Sequence, residues 1–226
     1  MKKILLSLGL AWVVLLSVEA RPKENWSKGE IKLTTGERMK GELLYAPEVE
    51  VVSIKLDDGR HRAYGSRQLE SFSFWDNKKQ QTRHFVKSHL PHSGREVLFE
   101  NIADGALKIQ RFLKPYSRKR LLTFTSTTID EAPETAHEHG RYQYYVQDGE
   151  QLMTIEHFLR RRFSTSTKRW QKELEEYRYY NNLDNGIASW LKVLLYYNVL
   201  EADHNPKEYE GRPSVGASFI LMGNLN

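Results

Sequence analysis

The chain contains no cysteine, so any metal site or nucleophile must come from histidine, carboxylate, serine or threonine. His89-x-x-His92 and His137-x-His139 are the close histidine pairs, and Glu138 adds an oxygen between the second pair. Metal-binding pairs sit on rigid elements, at i, i+4 of a helix or at alternate positions of a strand. His89 and His92 flank Pro91 in a polar linker, and His137 and His139 lie in a stretch without apolar period. No metal site and no cofactor are therefore expected. Ser66, in "YGSRQ" at 64–68, lacks the second glycine of a nucleophile elbow and stands in a strand-like pattern. Asp57 and Asp58 precede Gly59, and Asp76 ends an apolar alternation, so turn roles account for all three. The chain has no glycine-rich phosphate loop, and no catalytic residue is assigned.

Cationic chemistry is better supplied. Arg111, Lys114, Arg118, Lys119 and Arg120 surround Tyr116, and Arg160, Arg161, Arg162, Lys168 and Arg169 lie near Phe163 and Trp170. Cations interleaved with aromatics can grip phosphates and stack bases. Equally, arginine stems can cover apolar surface while their heads stay solvated. The candidate anion-binding set is Arg118, Lys119, Arg120, Arg160, Arg161 and Arg162. Successive helical positions turn by about 100°, so Arg160, Arg161 and Arg162 cannot all face inward. The twelve Tyr and five Trp, many in the runs at 142–146, 177–180 and 196–197, suit a contact surface for glycan or protein.

The elements that must position these residues fall into two regimes. From 26 to 86 the period is two: Ile31 and Leu33 alternate with Glu30 and Lys32, and Met39, Leu43 and Tyr45 continue past a Thr35-Gly36 turn. A third strand passes through Val49, Val51 and Ser53, and Asp58-Gly59 marks a hairpin. Leu69, Phe72 and Phe74 lead to Asp76, and a short strand follows at 83–86. Close turn spacing predicts a small, strongly bent barrel. Beyond the 88–94 linker, apolar residues bracket an "ADG" turn at 103–105, a strand is expected at 121–126, and 127–140 reads as a loop. Residues 142–155 form a hairpin around Asp148-Gly149. The period then lengthens. Residues 156–163 make a short helix, and Ser166 or Thr167 is placed to cap the next. Trp170, Leu174 and Tyr177 share one face of that helix, and Ile187, Trp190, Leu191, Leu194 and Leu195 mark a third.

Residues 29–75 resemble the Sm-like and SH3-like small barrels in the order of strands and turns, which implies shape alone. "GE-x-K-L-x-x-GE" at 29–37, "G-x-L-x-Y" at 41–45 and "AYGSRQLESFSFWD" at 63–76 are similar to a segment of uncharacterised exported proteins of Gram-negative bacteria. That likeness, over 26–86, implies location and no activity. Location is also written at the start of the chain. Lys2 and Lys3 precede an apolar run at 4–16, and Val18 and Ala20 offer a small-residue cleavage pattern. The run is shorter than the roughly 18–20 residues that span a bilayer. Residues 1–20 are thus expected to be a signal peptide cleaved after Ala20, delivering the protein to the periplasm or cell envelope. Removing Lys2, Lys3 and Glu19 lowers the net charge from +5 to +4, and without cysteine the exported chain must be held by its core.

The expectation is an α+β chain: a small bent β-barrel at 26–86, then a second β-rich layer with two or three C-terminal helices at 95–200. Residues 201–226 form a tail, with 214–223 either a strand or disordered. The expected function is a non-catalytic interaction or cell-envelope structural module. Anion binding, to glycan or lipid phosphate, through the arginine clusters is one alternative, and an enzyme with an unrecognised site is another. Envelope protein or acidic glycan or lipid are the partner classes; export argues against nucleic acid.

Overall fold

The computed structural model describes residues 26–114 and 141–206. The expected signal peptide, the strand at 121–126, the loop at 127–140, the strand at 214–223 and the basic residues Arg118, Lys119 and Arg120 lie outside them.

The described chain is α+β. Ten strands form one antiparallel open sheet, and helices follow at the C-terminal end. The strands are β1 (Ser27–Leu33), β2 (Arg38–Ala46), β3 (Val51–Lys55), β4 (His61–Gly65), β5 (Leu69–Asp76), β6 (Gln81–His89), β7 (Glu96–Ala103), β8 (Leu107–Leu113), β9 (Tyr142–Asp148) and β10 (Gln151–Thr154). Their spatial order is β10-β9-β8-β7-β6-β5-β1-β2-β3-β4. The helices are α1 (Ile155–Arg161), α2 (Phe163–Ser166), α3 (Gln171–Tyr180) and α4 (Ile187–His204), with a single 3-10 turn before α3.

Two expectations need correction. The sheet is not closed into a barrel: β5 does pair with β1, but it also pairs with β6, so pairing carries on across the molecule. Nor is there a separate second β layer. The expected 88–94 linker is the tight connection of the β6–β7 hairpin, where the Leu90 N–H donates to the Arg95 carbonyl at 2.9 Å, and β6 to β10 extend the same sheet.

The sheet nevertheless curls. Tyr45 on β2 and Phe85 on β6 are three strands apart, about 14 Å in a flat sheet at the usual spacing. Their ring centroids are only 5.0 Å apart. Gly29 and Gly41, directly opposite each other on β1 and β2, sit at the bend. A Cβ at Gly29 would lie 2.2 Å from the Ser73 carbonyl oxygen, and one at Gly41 2.3 Å from that of Lys55. Glycine inside a strand marks such a tight bend because no side chain obstructs the neighbouring backbone.

Curling brings Ile31, Leu43, Val52, Ile54, Leu69, Phe72 and Phe85 into one core. Farther along the same face, α1, α3 and α4 lay Phe158, Leu174, Leu191 and Leu194 over Leu107, Ile109, Tyr144 and Val146. Val97, Phe99, Phe112 and Tyr145 form a smaller cluster on the opposite face of β7, β8 and β9. The predicted side-chain caps are absent. Thr167 is buried and its hydroxyl donates to the Phe163 carbonyl, Ser166 donates to Asp148, and Trp170 stands at the α3 N-cap. The apolar face of that helix is as expected, with Leu174 buried and Trp170 and Tyr177 packed beside it. No helix of the described residues is long and apolar enough to cross a membrane.

Candidate functional site

One row of directly paired residues crosses the inner face of seven strands: Met39, Ile31, Phe72, Phe85, Glu100, Arg111 and Tyr144. The first four are core. At Glu100 the row turns ionic, although the side chains still point to the buried face. Arg83, two residues before Phe85, shares that face by strand alternation.

Arg83 and Arg111 clamp Glu100 between them. Arg83 donates from Nε to Glu100 Oε1 at 2.7 Å and from Nη2 to Oε2 at 2.8 Å, a bidentate pair. Arg111 Nε donates to Glu100 Oε2 at 2.8 Å. The Glu100 and Arg111 side chains are only 5% and 8% exposed, so this triad is shielded from solvent screening. Arg83 Nη1 also reaches Asp76 Oδ2 at 3.4 Å. The guanidinium of Arg83 stands 5.2 Å from the Phe85 ring centre, and that of Arg111 4.1 Å from that of Tyr142.

Protonation states here are pinned. Burial opposes ionisation of Glu100, but the attraction of Arg111 and Arg83 and their hydrogen bonds prevail and hold its carboxyl down at about 2. Burial likewise opposes the charge on each arginine, and Glu100 overrides it, so both guanidiniums titrate above their ordinary value. Burial, with Glu50 adding, pushes the Tyr45 phenol well up from its usual value.

The triad floors a cleft of about 400 Å³, which forms where the curled β1–β2 part of the sheet stands over β5 to β9. Trp26, Tyr45, Phe74 and Tyr142 supply aromatic walls, and Asn77 and Lys78 stand exposed on the β5–β6 turn that borders it. A volume in the range of about 300–1,000 Å³ is that of small-molecule sites.

The residues singled out from sequence fall mostly elsewhere. Arg160, Arg161 and Arg162 are all exposed around the end of α1, and Arg162 pairs with Asp148 at 3.2 Å. None of the three lines the cleft. Arg111, read as part of a basic cluster, is instead a buried member of the triad. His89 is exposed at the end of β6, 3.7 Å from Glu96, and His92 is exposed in the following turn. Among the described residues no group of three or more histidine or acidic residues could hold a metal ion. Ser66 donates to Glu50 Oε2 at 3.3 Å. Asp58 and Asp76 do serve turns, Asp58 accepting from the Arg60 N–H and Asp76 from those of Lys78 and Lys79.

Arg83, Glu100 and Tyr45 were missed. The available signal was parity: Arg83 alternates with Phe85, Glu100 with Leu98, and Arg111 with Ile109, each charge standing at an inward position. Comparison of the chain with protein-family models, curated proteins and solved structures finds no match.

Proposed function

We propose that the protein is an exported, non-catalytic binding module of the cell envelope, and that its ligand enters the aromatic cleft. The observation that carries this reading is the cleft itself, an aromatic-walled cavity of about 400 Å³ whose floor is a set of ions already paired within the protein. Proton transfer near neutrality is best served by a group whose pKa lies close to the working pH. Glu100 sits far below that range, while Arg83, Arg111 and Tyr45 sit far above it. Such a set suits the orientation of a ligand better than proton exchange near neutrality. The leader pattern at 1–20 and the likeness of 26–86 to exported proteins support the location.

The test is a ligand-observed NMR screen of the mature protein with a fragment library, followed by chemical-shift mapping on Tyr45 and Tyr142. Fragments converging on the cleft and recovered unchanged would uphold the proposal. A screen in which none reaches the cleft would overturn it. Chemical conversion of a bound fragment would make the protein an enzyme instead.

A further inference from the structure

We infer that the cleft recognises an uncharged, polyhydroxylated ligand of mono- or disaccharide size, an inference that rests on the binding-module reading above. Two observations lead there.

The first concerns the phenols. Tyr45 packs its ring at 4.9 Å from Phe72 and 5.0 Å from Phe85, within electrostatic reach of Tyr142, Glu100 and Arg83. Its hydroxyl makes no hydrogen bond within the described residues. Every fully buried side-chain nitrogen and oxygen there does have a partner, so the Tyr45 hydroxyl is not fully buried, and Tyr45 lines the cleft. The Tyr142 ring is held by Arg111 at 4.1 Å, and its hydroxyl likewise makes no hydrogen bond within the described residues. Both tyrosines line the one cavity, and each brings to it a hydroxyl able to donate and accept.

The second is charge. Arg83 and Arg111 are balanced by Glu100 and Asp76, all within one hydrogen-bonded set. Lys78, at the border, is exposed and screened by water. An ion entering the cleft would lose its hydration without gaining an unbalanced counter-charge, which is unfavourable. A sugar suits both features, since its hydroxyls pair with phenols and its C–H faces pack on Trp26, Phe74 and Tyr142. Such sites combine mostly apolar walls with a few placed polar groups.

The experiment titrates cellobiose, maltose and di-N-acetylchitobiose, with glucuronate and inorganic phosphate as anionic arms, into the mature protein by calorimetry and NMR. Tyr45→Phe and Tyr142→Phe are run in parallel. Each keeps its ring and loses a hydroxyl that no described residue uses, so the thermal midpoint should stay at the parent value. The expected result is saturable binding of at least one neutral disaccharide, weakened about three- to tenfold by either variant and insensitive to salt. Tighter binding of glucuronate or phosphate, sugar affinity unchanged in both variants, or no sugar bound would each overturn the inference. If library fragments still occupy the cleft while sugars do not, only the ligand class falls; if neither does, the binding-module reading falls with it.

Discussion

Asn198 of α4 closes a two-bond clasp on the main chain of Leu107 in β8, across 91 residues of sequence. Its Oδ1 accepts from the Leu107 N–H at 2.8 Å, and its Nδ2 donates to the Leu107 carbonyl at 2.7 Å. Asn198 is 1% exposed, and Gly105 makes room for it: a Cβ there would stand 2.7 Å from the amide carbon. Asn198→Ala leaves two buried backbone groups unpaired, at roughly 1–3 kcal/mol each before relaxation, so a loss of about 2–4 kcal/mol is expected. Asn198→Asp should do worse, because a carboxylate opposes the carbonyl. Gly105→Ala should cost about 1–3 kcal/mol alone and less in the Asn198→Ala background, since both act at one contact. Urea midpoints of the four variants decide this; strict additivity would refute the shared contact.

Glu100 is expected to set the acid limit of stability. Its folded pKa, about 2, lies below the ordinary 4.5. Above about pH 4.5 the carboxylate is ionised in both states and its contribution is complete. That contribution disappears as pH falls from about 4.5 to 2, a loss on the order of 3 kcal/mol. Glu100→Gln should flatten this limb of the stability profile and lower neutral stability by about 3–5 kcal/mol, because two buried guanidiniums lose their counter-ion. A parental acid limb in the variant would show that the transition belongs to other carboxylates.

What the sequence reveals of this fold follows the range of the interactions involved. Ile31 and Leu33 announce a strand through their neighbours, and Asp58-Gly59 and Asp148-Gly149 announce hairpins, because backbone preference at those positions is local. The same alternation serves a closed barrel or an open sheet. The choice rests on β6 pairing both β5 and β7, contacts that no local period encodes. The site was visible only as three charges at inward parity. Whether Arg83, Glu100 and Arg111 meet depends on register, since a slip of one residue would turn a strand's whole set to the other face. Thr167 is no cap because it continues the preceding helical turn: both its N–H and its hydroxyl donate to the Phe163 carbonyl, which turns the hydroxyl back from the next helix.

The turn after β1 needs a left-handed residue. Gly36 has φ of +87°, and its N–H donates to the Leu33 carbonyl at 2.9 Å. A Cβ there would meet nothing within 4 Å, so the penalty for Gly36→Val is backbone strain alone, about 1–3 kcal/mol. Thr34→Ser should be close to neutral. Chemical denaturation of both, expressed as midpoint shifts, provides the check, and an unmoved midpoint for Gly36→Val would contradict it.

The proposed export predicts a defined N-terminus. With the leader removed after Ala20, the mature chain begins at Arg21, and its mass drops by that of residues 1–20. Intact-mass measurement on protein recovered from the envelope fraction reads this directly. Retention of Met1 on most molecules would favour an uncleaved anchor.

The triad also allows stability and recognition to be separated. Removing one partner of a buried ionic set strands the others, whereas replacing the whole set with apolar residues of similar volume can be neutral or stabilising by about 1–4 kcal/mol. Arg83→Met, Glu100→Leu and Arg111→Met combined should therefore fold with a thermal midpoint at or above that of the parent. Each single substitution should lower the midpoint, Glu100→Leu most, since it leaves two cations facing each other without a carboxylate. The triple variant should also lose ligands bound in the cleft, because Tyr142 loses the guanidinium against which it lies and the polar floor becomes apolar. Thermal unfolding of the triple and the three singles, run beside the fragment titration, distinguishes the two roles. A triple variant less stable than every single would make the triad a structural necessity, and one that still bound cleft ligands with parental affinity would remove the triad from recognition.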